Sequence, residues 1–124
     1  MRIAHSTAGG GVGTFFLATT SGLYRLLPGG TWTLQTADPS YVVSDVQIDP
    51  ANPMRVCIAM GYANGYNQHR GGVLLSTDDG TTFTSLTAGM SIHQAPIAAV
   101  QFDPVDSSIH AAVYGLGGWT YQAP

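Results

Sequence analysis

Lysine and glutamate do not occur in this chain of 124 residues. Its ionic groups are four arginines (Arg2, Arg25, Arg55 and Arg70) and seven aspartates, and charged residues make up only 9%. Lys and Glu form helices well and strands poorly. Their absence, beside 16 glycines and much Thr, Val and Tyr, predicts an all-β chain. Four scattered arginines and a net charge of −3 cannot make the clustered basic surface that tracks phosphates, which argues against a nucleic-acid partner. No apolar run approaches the roughly 18 residues a bilayer span needs, so no membrane span is expected. The stretch "MRIAHSTAGGGVG" lacks the apolar segment of a secretory leader. The single cysteine, Cys57, excludes an internal disulfide. Its setting in "VCIAM" reads as a small buried hydrophobe rather than a nucleophile. His5, His69, His93 and His110 show no H-x-x-x-H spacing and no paired cysteines, so neither a metal site nor a cofactor is expected.

What is present is repetition. "VSDVQIDPANPMRVCIAMG" (43–61) lies over "IAAVQFDPVDSSIHAAVYG" (97–115) without a gap, at an offset of 54 (43 to 97). Val46/Val100, Gln47/Gln101, Asp49/Asp103, Pro50/Pro104 and Gly61/Gly115 are identical pairs. The shared form is an alternating strand, an Asp-Pro turn and a second apolar strand ending at glycine. A fainter copy precedes them in "TFFLATTSGLYRLLPGGTWTLQT" (14–36), where Ala18 falls on Ala59, Gly29 on Gly80 and Trp32 on Phe83. The pattern predicts strands near 2–6, 14–19, 22–27 and 31–36, then 42–48, 55–61, 72–77 and 82–87, then 97–102, 109–114 and 117–122. Units of four short antiparallel strands at this period describe propeller blades. The predicted fold is therefore a β-propeller segment: one blade over 1–38, a second over 39–89 and a partial third over 90–124.

One turn in this pattern carries a recognisable set of side chains. In "STDDGTTF", Ser76, Asp78, Gly80 and Phe83 follow the spacing S-x-D-x-G-x-x-aromatic. An aspartate can accept bonds from nearby backbone N–H groups, and glycine can take a positive φ, so the residues suit a tight turn with Phe83 packing between neighbouring units. Asp79 reads as a solvated turn residue. Adjacent carboxylates point to opposite sides of a strand, which argues against an acid/base pair. The calcium-loop pattern also fails, for want of alternating acidic ligands. Leu27 replaces the aspartate in the first unit.

The spacing resembles the Asp-box, or BNR repeat, of sialidases, sortilin-type receptors, photosystem assembly factors and family-74 xyloglucan hydrolases. The stretch "VQIDPANPMRVCIAMGYANGYNQHRGGVLLSTDDGTTFTSL" is most similar to a family-74 blade. That resemblance implies a propeller fold. The family's catalytic pair of aspartates does not carry over. One of them belongs to a segment of the type R-T-D-x-G-G-x-Y-R, and "ATTSGLYRL" has Thr20 and Ser21 there with no aspartate. No catalytic residue is assigned. The arginine triad of a sialidase is also missing.

A ligand or partner surface is expected in the insertion "YANGYNQHRG" (62–71). Tyr62 and Tyr66 suit stacking, and Asn64, Asn67, Gln68, His69 and Arg70 suit hydrogen bonds to hydroxyls or carboxylates. His93, in the link to the third unit, is placed on the same propeller face. His110 aligns with Val56 and is expected as a core or inter-blade histidine bonded to a backbone group. Asp45 and Asp49 read as strand-end and turn residues. "GGGVG" has no following G-K-[ST] and reads as a turn.

Fewer than four blades leave apolar faces open. The chain is therefore expected to be part of a larger closed propeller, either by joining another protein chain, as a homo-oligomer or in a heteromeric assembly, or as one segment of a larger propeller protein. The expected function is a non-catalytic module for structural assembly or for binding glycan or protein. The alternative is a fragment of an Asp-box glycoside hydrolase whose acids are incomplete here. Low charge with Thr, Gly and Tyr richness leans toward an extracellular or cell-surface setting.

Overall fold

The computed structural model describes residues 2–6, 13–35, 42–61, 72–86, 97–113 and 117–121. The described chain is all β, with no helix among those residues. The first sheet joins β1 (Arg2–Ser6), β2 (Thr14–Thr19), β3 (Gly22–Leu26) and β4 (Trp32–Leu34) in sequence order. The second joins β5 (Val42–Ile48), β6 (Val56–Gly61), β7 (Gly72–Ser76) and β8 (Thr84–Ser85). The third joins β9 (Ile97–Phe102), β10 (Ile109–Val113) and β11 (Gly117–Tyr121). Every pairing is antiparallel. The strand at 82–87 shrinks to Thr84–Ser85, because the preceding turn uses Thr81 and Thr82 to hold Asp78.

The second sheet lies between the other two and is buried on both faces. Valine and isoleucine suit such a strand, and every residue of β6 is buried. Val56 and Ile58 pack with Val43 and Val46 against Phe16, Ala18 and Leu23 of the first sheet. Cys57 and Ala59, on the opposite face of β6, pack with Val73 against Ile97, Val100, Phe102, Ile109 and Ala111 of the third. Side chains alternate across a strand, so one short strand seals two interfaces.

The repeat holds at the level of single bonds. The Asp49 amide donates to the Arg55 carbonyl at 3.0 Å, and the Asp103 amide to the Ser108 carbonyl at 2.7 Å. Asp49 Oδ1 accepts from the Ala51 amide at 2.9 Å, and Asp103 Oδ1 from the Val105 amide at 2.8 Å. A bulge recurs too, where the pairing register slips past Ser44 in one sheet and past Ala98 in the other. The alignment is not gapless, however. Ile48 pairs with Val56, and Phe102 with Ile109. The first strands thus match at an offset of 54 and the second strands at 53, since the third sheet's turn is one residue shorter. His110 is therefore the counterpart of Cys57, not of Val56. It is exposed and faces away from the second sheet, contrary to the expectation of a core histidine.

Candidate functional site

The turn between β7 and β8 is a closed set of hydrogen bonds. Ser76 Oγ donates to Asp78 Oδ1 at 2.6 Å and accepts from the Gly80 amide at 2.8 Å. Asp78 Oδ1 also accepts from the Thr82 amide at 2.9 Å, and Asp78 Oδ2 from the Thr82 hydroxyl at 2.6 Å. These donors hold the Asp78 carboxyl at about 2, below its ordinary 3.8, with the Ser76 hydroxyl the largest cause and the Thr82 hydroxyl next. Gly80 has φ +81°, and a Cβ there would stand 2.3 Å from Cε1 of Phe16. Phe83 packs on the core between the first and second sheets. The backbone form does not require the aspartate. In the first sheet the Gly30 amide donates to the Leu27 carbonyl at 3.0 Å, as the Thr81 amide does to the Asp78 carbonyl at 3.3 Å. Gly29 has φ +72° there.

Asp79 is not a solvated turn residue. It has φ +58°, and its amide donates to the Met54 carbonyl at 2.9 Å. Asp79 Oδ2 accepts from the Thr14 hydroxyl at 2.9 Å and lies 3.7 Å from Nη2 of Arg25. Its carboxylate therefore fastens the second sheet to the first. No local signal points to this role, because Thr14 and Arg25 are far away along the chain.

Two buried aspartates fasten the second sheet to the third. Asp45 Oδ1 accepts from the Val46 amide at 2.9 Å, and Asp45 Oδ2 from the Val100 amide at 3.1 Å. Asp49 Oδ2 accepts from Nη1 of Arg55 at 2.7 Å, and Asp49 Oδ1 from the Ser107 hydroxyl at 3.2 Å. The Arg55 guanidinium sits 5.3 Å from the centre of the Phe102 ring. Smaller clips act at both interfaces, one between the first and second sheets and one between the second and third. Ser6 Oγ donates to the Pro53 carbonyl at 3.0 Å, and Ser44 Oγ donates to the Ile97 carbonyl. Removing Asp45 would orphan two buried amides at about 1–3 kcal/mol each.

A serine, a histidine and an aspartate also meet on the third sheet. His110 Nε2 lies 3.3 Å from Ser108 Oγ and 3.4 Å from Asp103 Oδ2, and Nδ1 lies 3.0 Å from Thr120 Oγ1. A nucleophilic triad needs its hydroxyl and its carboxylate on opposite ring nitrogens. Here Ser108 and Asp103 share Nε2, so that serine is not poised as a nucleophile; the hydroxyl on Nδ1 is that of Thr120, in a cluster around an exposed histidine. The Cys57 thiol is buried, and burial, with Asp45 adding to it, pushes its pKa well above the ordinary value. Such a thiol is unreactive. Among the described residues no group of three His, Cys, Asp or Glu side chains could hold a metal ion.

The expected ligand residues Tyr62, Asn64, Tyr66, Asn67, Gln68, His69, Arg70 and His93 lie outside the described residues. The turns that carry Met54, Asp79 and Ser107 share one end of the stack, since they bond to one another or to a common partner. The connection from β6 to β7 leaves Gly61 at the opposite end. The hairpin from β2 to β3 is closed by the Thr19 hydroxyl donating to the Gly22 carbonyl at 2.8 Å.

No protein-family model matches the chain, and no curated protein matches it in sequence. Solved structures match its fold, two GH74 enzymes among them. An ancestral GH74 enzyme is similar over 96% of this chain, with a TM-score of 0.71 and 15% identity. The GH74 enzyme of Niastella koreensis is similar over 96% of this chain, with a TM-score of 0.62 and 24% identity. This chain covers 16% of the first and 21% of the second. At these identities the likeness is one of fold: three antiparallel sheets arranged as in part of a GH74 enzyme.

Proposed function

We propose that the three sheets are successive blades of a propeller-type array, with limits near 1–38, 39–89 and 90–124. The chain then serves as a non-catalytic module for assembly or for binding glycan or protein. Ser76, Asp78, Gly80 and Phe83 act as its structural Asp-box. The residues 62–71 and His93 are the proposed ligand surface. One observation carries this reading. Of the seven aspartates, the six at 45, 49, 78, 79, 103 and 106 each accept a bond from a backbone amide or side chain of the chain itself. The seventh, Asp38, lies outside the described residues. Glycoside hydrolysis by two carboxylates needs both facing the substrate.

The test is incubation of the purified protein with xyloglucan and soluble β-glucans. Reducing ends and bound polymer are measured side by side. Binding without new reducing ends, weakened at least tenfold by Tyr66→Ala, supports the module. The second reading, a fragment of a hydrolase, is favoured by the two GH74 likenesses. It predicts new reducing ends, lost in Asp38→Asn, only when a chain that supplies the missing acid is present. Asp45→Ala is unsuitable for that purpose, since it removes a buried clip between sheets.

A further inference from the structure

Of the seven aspartates, Asp79 alone is followed by a glycine. An Asp-Gly bond is open to self-modification, because glycine carries no Cβ to shield its own nitrogen. The Gly80 nitrogen attacks Cγ of the protonated Asp79 side chain, a C–N bond forms, and the carboxyl hydroxyl leaves as water. Water then opens the five-membered imide at the bond from the Asp79 main-chain carbonyl to the Gly80 nitrogen. The main chain thereafter runs through Cβ of Asp79, one carbon longer, and the former main-chain carbonyl becomes a free carboxylate. One water leaves and one returns, so the step needs no oxidant, reductant or other co-reactant.

The fold binds the two reacting groups to different elements. Asp79 Oδ2 accepts from the Thr14 hydroxyl at 2.9 Å and lies 3.7 Å from Nη2 of Arg25. Asp79 Oδ1 is buried with no hydrogen-bond partner, so Thr14 and Arg25, both of the first sheet, hold the side chain through Oδ2. The Gly80 amide instead donates to Ser76 Oγ at 2.8 Å, inside its own turn. The Asp79 amide donates to the Met54 carbonyl at 2.9 Å, which pins the other side of the residue. Gly80 also abuts Phe16 so closely that a Cβ would stand 2.3 Å from the ring. The peptide unit cannot turn its nitrogen toward Cγ without displacing that fully buried ring.

We propose that Asp79–Gly80 is a latent isomerisation site gated by the contact between the first and second sheets. While the sheets are stacked, the bond is unreactive. When they part, Cγ loses Thr14 and Arg25, the turn leaves Phe16, and carboxyl and nitrogen are free to meet. The product does not fit back. A main chain one carbon longer no longer carries Gly80 to Phe16, and the displaced carboxylate no longer meets Thr14 and Arg25. An opening that ends in reaction therefore leaves the first sheet released from the second. The proposal stands on that contact and is independent of the blade reading and of any ligand.

The test incubates the full chain in mildly acidic buffer, with wild type in concentrated urea as the unlocked reference. Cleavage after Arg70 then separates the bond from Asn64–Gly65, a second sequence that yields isoaspartate. Electron-transfer fragmentation assigns the product to Asp79. Folded wild type is expected to react at least about a hundredfold more slowly than wild type in urea, since only the opened population reacts. Thr14→Val, and as a second variant Arg25→Gln, should each speed the folded-state reaction about tenfold, with an unchanged circular dichroism spectrum. Ser44→Ala removes a clip at the other interface and should stay within about twofold of wild type. In the isomerised fraction the NOE between Gly80 and the Phe16 ring should vanish, while that between Arg55 and the Phe102 ring remains. Equal rates for folded and urea-treated wild type would overturn the proposal. So would folded Thr14→Val and Arg25→Gln chains no faster than Ser44→Ala, or an isomerised fraction that keeps the Gly80–Phe16 contact. If neither variant folds, the urea comparison and the NOE contacts of isomerised wild type still decide the matter.

Discussion

Replacing Gly80 by alanine adds one methyl group, and it should be among the costliest single changes in the chain. Two effects add. Gly80 has φ +81°, and a residue with a Cβ in the left-handed region costs about 1–2 kcal/mol. The new Cβ would also stand 2.3 Å and 2.6 Å from Cε1 and Cζ of Phe16, which is fully buried. The ring cannot swing away freely, because it is wedged among Ala18, Leu23 and Val46. Overpacking of this kind costs about 1–3 kcal/mol. The expected loss is therefore about 2–5 kcal/mol, a large part of the roughly 5–15 kcal/mol that holds a domain folded. In urea, with a slope of about 1–3 kcal/mol/M, the midpoint should fall by about 1 M or more. Both proteins must be unfolded at one concentration, since association adds stability by mass action. The Phe16→Leu background separates the two effects. There the clash is relieved and only the backbone cost of about 1–2 kcal/mol should remain. An unchanged midpoint for Gly80→Ala, or an equal loss in both backgrounds, would refute the claim that this turn seats on the first sheet.

Asp78 should make stability depend on acid. Its folded-state pKa of about 2 lies below the ordinary 3.8, so its contribution is complete above about pH 4 and fades as pH falls toward 2. Asp78→Asn should flatten that part of the profile, and an unaltered slope there would count against the turn network. Arg55→Met leaves the fully buried Asp49 carboxylate without its cation and should cost about 3–5 kcal/mol in a urea melt. A loss under 1 kcal/mol would show that the pair is not desolvated. The Cys57 thiol should react with an aromatic disulfide reagent no faster than the chain unfolds, because it is buried with a raised pKa. Fast labelling of the native protein would contradict the packing of the second sheet against the third.

What could be read without coordinates was whatever depends on neighbours along the chain. Alternating apolar residues and Asp-Pro or Gly turns placed the strands within a few residues, because strand and turn formation is decided locally. The set Ser76, Asp78 and Gly80 closes within its own turn, so a tight hydrogen-bonded turn is legible from the spacing. The buried state of Cys57 followed from the apolar run around it. The roles of Asp79, Asp45 and Asp49 did not follow, since Thr14, Val100 and Ser107 reach them only when sheets stack. His110 was misplaced by one residue for a related reason. A turn shortened by one position flips every later side chain to the other face, and only the strand register reveals it. Sequence alone thus determined an all-β chain of repeating antiparallel units. Tertiary structure decided which carboxylates join the sheets, because that depends on contacts between segments that the chain order keeps apart.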